Sequence, residues 1–100
     1  MSYSPDSLAL AYDESCALIR QLRGSEPLRD VALAERPNHA ARMARGWRDA
    51  AALYLDLSKG WQSLSDVRRA KLMARAYGRC ELYASRFERW LEEHAAGRIA

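Results

Sequence analysis

A chain of 100 residues, 49% of them hydrophobic, has enough apolar material for one ordinary domain with one core. Eighteen Ala and thirteen Leu stand against two Val, two Ile and no Thr, which starves any strand-rich fold and leaves an all-α one. The net charge of +3 is unevenly placed: residues 1–37 hold four Arg and six acids, residues 38–100 twelve Lys or Arg and seven acids.

The first helix is expected over residues 5–23. Ser4 suits the N-cap, Pro5 the first helical position and Asp6 the positive end of the helix dipole, and Gly24 closes the segment. Leu8, Ala11, Tyr12, Ser15, Ile19 and Leu22 return at three- and four-residue spacing and make one buried stripe. A short connecting helix follows over residues 26–36, ending near Arg36 because the residue before a proline is pushed out of the α region.

Asn38 is the expected cap of a third helix over residues 39–59, where Ala40, Met43, Trp47, Ala50, Tyr54 and Leu57 form the cleanest core stripe of the chain. Its opposite face, Arg42, Arg45, Asp49, Ala52, Asp56 and Lys59, is solvated, with Arg45 and Asp49 spaced as an i,i+4 pair. Gly46 inside the helix is unfavourable by about 1 kcal/mol relative to Ala, which a close helix crossing would explain. Gly60 supplies the stop, and Ser63 with Asp66 forms an S-x-x-D start for the last helix, residues 64–96. The short turn makes these two helices antiparallel neighbours.

Helical phase sorts the last segment into strips. At 100° per residue, Arg68, Lys71, Arg75, Arg79, Arg86 and Arg89 fall within an arc of about 80°, and Met73, Tyr77, Cys80, Ala84, Phe87 and Leu91 within another. Tyr83 and Trp90 lie on the seam, and Glu81, Glu88 and Glu92 form an acidic flank. Phase is preserved across Gly78, which predicts one helix about 50 Å long that overhangs neighbours of about 30 Å. The whole is a small bundle of three main helices plus one short connector, a single domain over residues 1–100.

No arrangement of ligands or nucleophiles points to chemistry. His39, His94, Cys16 and Cys80 have no metal-ligand spacing, the five glycines are solitary, and Cys80 sits on an apolar arc where a thiol acts as a small hydrophobe. No cofactor, metal or catalytic residue is expected. The N-terminus lacks a signal-peptide pattern and no apolar run approaches the roughly 20 residues of a membrane span, so the expected setting is the cytoplasm without a membrane partner.

The expected function is non-enzymatic protein binding through Arg68, Arg75, Arg79, Tyr83, Arg86, Arg89 and Trp90, since interface hot spots favour Trp, Tyr and Arg. In size and style, without any shared motif, the chain is similar to phage and mobile-element inhibitors such as anti-CRISPR proteins, which bind larger bacterial nucleoprotein complexes. The alternative is a small basic DNA- or RNA-binding regulator using the same arginines. A homodimer could also bury the overhang.

Overall fold

The computed structural model describes residues 3–99; Met1, Ser2 and Ala100, the ends of the expected domain, lie outside them. Three α-helices, α1 (Pro5–Arg23), α2 (Arg36–Ser63) and α3 (Val67–Ala95), carry the fold, and no strand occurs among the described residues. The shape is a rod of 48 × 21 × 21 Å with a radius of gyration of 15.9 Å. A compact chain of this length would have about 13 Å.

The Ser4 cap forms as expected, its hydroxyl accepting from the Ser7 amide at 3.1 Å. Leu8, Ser15 and Leu22 are the buried members of the α1 stripe, whereas Tyr12, assigned to that stripe by spacing, stands 41% exposed. The buried Ser15 hydroxyl is satisfied locally by donating to the Tyr12 carbonyl at 2.7 Å.

The connector departs from expectation. Residues 26–36 hold two single 3₁₀ turns, Leu28–Asp30 and Leu33–Glu35, instead of an α-helical turn. Arg36 does not end the segment; it begins α2 with helical angles of −58° and −43°. Pro37 is tolerated because an amide in the first helical turn has no intrahelical carbonyl to lose. Arg36 also pins the connector, donating to the carbonyls of Val31 at 2.8 Å and Arg29 at 2.9 Å, and His39 Nε2 lies 3.0 Å from the Glu26 carbonyl.

Helix α2 runs past Gly60 to Ser63, so that glycine is no stop. It is buried where the first helix crosses: a Cβ there would meet Leu8 and come within 2.8 Å of the Tyr3 ring, and one at Gly46 would collide with Leu22. The two glycines therefore allow α1 to cross closely at both ends. The reversal falls at Leu64–Asp66, with Ser65 in the left-handed region at φ 62°, and Asp66 rather than Ser63 caps α3 by accepting from the Arg69 amide at 3.0 Å. The Ser63 hydroxyl instead donates back to Gly60 at 2.7 Å.

The longer α2 changes the expected overhang. With 28 and 29 residues, α2 and α3 are each about 42–44 Å long and match end to end; both project beyond α1, whose 19 residues span about 28 Å. Helix α3 passes through Gly78 unbroken. Small residues line the α2–α3 seam: Ala44 and Ala51 on one side, Ala70, Ala76, Cys80 and Ala84 on the other, all buried. Ser58 donates across it to the Ala70 carbonyl at 2.9 Å. No helix among the described residues is long and apolar enough to cross a membrane.

Candidate partner-binding surface

Arg68, Arg75, Arg79, Arg86 and Arg89 are all exposed on α3, along a strip of about 31 Å. None forms an ion pair with a carboxylate among the described residues. Tyr83 rests on Trp47 at 4.8 Å between ring centroids, and the Arg86 guanidinium covers it at 5.6 Å. Trp90 is half-buried and stacks on His94 one turn later, 5.0 Å away with the rings 9° apart. Arg79 joins Tyr83 in the lining of a small cavity of about 50 Å³, while Arg75 and Arg89 stand on the outer face. The expected residues thus share one helix but fall into two groups, an inner edge of Arg79, Tyr83, Arg86 and Trp90, and an outer row of Arg75 and Arg89, with Arg68 near the helix start beside Arg69 and Leu72.

Two acids of the flank, Glu81 and Glu88, are engaged elsewhere, and Glu92 stays exposed. Arg48 of α2 pairs with Glu81, and with Glu88 at 2.6 Å, and its guanidinium also lies 3.4 Å from Ser85 Oγ. Positions 81, 85 and 88 are one α3 face that meets α2, so one guanidinium spans the clasp. Its hydrogen bond holds the Glu88 carboxyl below its ordinary value of 4.5, and Glu88 in turn raises the Arg48 guanidinium. Local spacing does not reveal the role of Arg48, because its pairing is nonlocal; the Arg45–Asp49 pair that local spacing suggests does not form. Beside the arginines stand two exposed apolar side chains, Leu72 at 46% and Leu82 at 52%, with Glu92 and Glu93, which form no ion pair among the described residues, toward the end of the helix. Phase could have revealed both leucines, since Leu82 falls inside the arginine arc and Leu72 beside Trp90 on the seam.

A second surface arises between α1 and α3. Pro5, Ala9 and Tyr12 on one wall and Arg69, Leu72 and Met73 on the other enclose an apolar groove of about 450 Å³ over Trp61. Arg69 lies over the Trp61 ring at 4.6 Å and pairs with Asp66 at 3.3 Å. Further along, Ile19, Arg23, Tyr54 and Cys80 line the small cavity beside Arg79. Burial pushes the Cys80 thiol up in pKa, with Arg79 and Arg23 pulling the other way.

The candidate chemical groups stay apart. His94 follows Cys80 by fourteen residues, about 21 Å along one helix. No Cα of α1 comes within 8 Å of one in α3, whereas a disulfide needs about 4.4–6.8 Å, so Cys16 and Cys80 cannot bridge in this arrangement. Comparison with known proteins adds no assignment. No family model, curated protein or solved structure matches the chain.

Proposed function

We infer that the protein is a non-enzymatic binding module whose working surface is the arginine and aromatic edge of α3 and whose partner is an acidic protein surface. The carrying observation is the exposed row of Arg68, Arg75, Arg79, Arg86 and Arg89, without carboxylate partners among the described residues and interleaved with exposed Leu72 and Leu82. Arginine forks suit bidentate pairing with carboxylates, and apolar side chains between them add dehydrated contact area that a phosphate backbone would not use. In this reading the protein acts in the cytoplasm as a small inhibitor of the phage or mobile-element type, anti-CRISPR-like, occupying an acidic patch on a larger bacterial complex.

The test is capture of the partner from host lysate, followed by titration of the purified pair. Arg79→Glu combined with Arg86→Glu should keep the helical circular dichroism and weaken binding at least a hundredfold. Unchanged affinity would remove this edge from the interface. A second reading, nucleic-acid binding, is favoured by one observation: with Glu81 and Glu88 both held by Arg48, the arginine strip has fewer free acids beside it. Duplex DNA or RNA affinity falling linearly on a logarithmic salt scale, with a slope set by the phosphates contacted, would support that reading over the first.

A further inference from the structure

Helices α1 and α3 both pack on α2 but not on each other. Directly packed helices have axes 8–10 Å apart and bring some Cα atoms closer still, yet no Cα of α1 lies within 8 Å of α3. Gly46 and Gly60 seat α1 on one flank of α2, and the Ala seam and Arg48 seat α3 on the other. Three corners of an up-and-down four-helix array are occupied, and the fourth is open.

The open corner has a built floor and a sign. Trp47, Tyr54 and Trp61 follow one another at seven-residue intervals along the α2 stripe that faces it, so one aromatic row lies under both parts of the cleft. Its lining includes Arg23, Arg69 and Arg79 and no carboxylate. The accessible surface, 6806 Å² for 11.4 kDa, exceeds the roughly 5,800 Å² usual for a folded monomer of that mass. The excess, about 1,000 Å², is comparable to the ~800 Å² one partner contributes to a standard interface.

We propose that this corner receives one amphipathic α-helix of an acidic partner protein, lying antiparallel to α1 and α3. Its apolar face rests on Tyr12, Trp61, Leu72 and Met73, and its flanking carboxylates meet Arg23, Arg69 and Arg79. A helix is the occupant because both walls are helices and its apolar ridge fills such a groove as in other helix-in-groove pairs. The Asp66–Arg69 pair is partly exposed, with Arg69 on the open side, and Arg69 can exchange it for a partner carboxylate. A second copy of the chain fits poorly, since the outer face of α1 offers a single large apolar side chain, Leu10, among Asp6, Asp13 and Glu14. The proposal rests on the protein-binding reading above and names the partner's chemistry.

The probe is a synthetic helix of about 18 residues, the length of α1, with Leu along one face and Glu on both flanks, compared with the same peptide carrying Lys for Glu. Calorimetry should show binding of the Glu peptide and at least tenfold weaker binding of the Lys peptide, with amide shifts centred on Ala9, Tyr12, Trp61, Leu72 and Met73. Ala9→Trp, at an exposed groove position, and Leu72→Glu should each weaken the Glu peptide at least tenfold while the melting curve is retained. Absence of binding, equal binding of the Lys peptide, or shifts centred on Arg75 and Arg89 would overturn the proposal. So would a dimer in light scattering that Ala9→Trp makes monomeric, because the occupant would then be a second copy. With the captured partner, loss of binding in the Arg79/Arg86 variant but not in Ala9→Trp defeats the groove alone. Loss in neither defeats the edge reading, and the peptide titration still decides the groove.

Discussion

The two flanks of α2 are packed by different means. Against α3 it presents mainly alanines and Ser58, so the backbones approach closely, with Trp47 against Tyr83 at one edge and a clasp of Arg48 with Glu81 and Glu88 closing the other. Against α1 it presents glycine at two points and large aromatics between, so the helices touch at Gly46 and Gly60 and the α1–α3 side remains a trough floored by Trp61. Small residues on both partners leave no room for anything else. Small residues at the crossings alone, with large ones between, hold a groove open.

The sharpest way to break this contrast is to place the same side chain in both regions. Ala84 is fully buried in the α2–α3 seam, so Ala84→Leu should cost about 1–3 kcal/mol, and more if the seam cannot part, whereas exposed Ala9→Leu in the groove should stay within about 0.5 kcal/mol of the parent. Urea melts of the two variants measure the difference. Equal losses would mean that the α1–α3 side is packed as tightly as the seam.

The clasp supplies a smaller effect with a definite pH sign. Glu88 has its folded-state value lowered by Arg48, so its contribution is complete above the ordinary value of 4.5 and is lost as pH falls through the lower folded value. The melting midpoint of the parent should therefore drop more steeply on acidification below about pH 5 than that of Glu88→Gln, which has no such proton to bind. Parallel pH profiles would show that the clasp adds nothing, as holds for many exposed pairs. Smallest of all, Ser65→Gly at the left-handed turn position should raise stability by a few tenths to about 1 kcal/mol, because glycine adopts that angle without strain. A lower melting midpoint would contradict it.

The helices themselves were legible because they depend on neighbours three and four residues apart. The stripe Ala40, Met43, Trp47, Ala50, Tyr54 and Leu57 is buried throughout, and the opposite face from Arg42 to Lys59 is exposed as its phase requires. The misreadings came where a local rule has two outcomes. Gly60 can end a helix or admit a crossing, Pro37 can break a helix or open one, and only the arrival of Leu8 or the anchoring of Arg36 decides which. The candidate surface was legible as an arginine arc, but not that Arg48 would draw off two of its flanking acids, Glu81 and Glu88. The trough was less legible still, since it is a distance between two helices that are neighbours of a third.

The tryptophans give the rod a built-in optical ruler. Trp61 lies half-buried by the helical turn, Trp47 is buried near the middle and Trp90 is half-buried toward the other end. An aqueous quencher will therefore reach the two end indoles before the central one. Single-tryptophan variants would turn the emission of each third of the molecule into a separate record of where a bound molecule sits and which end of the rod loosens first.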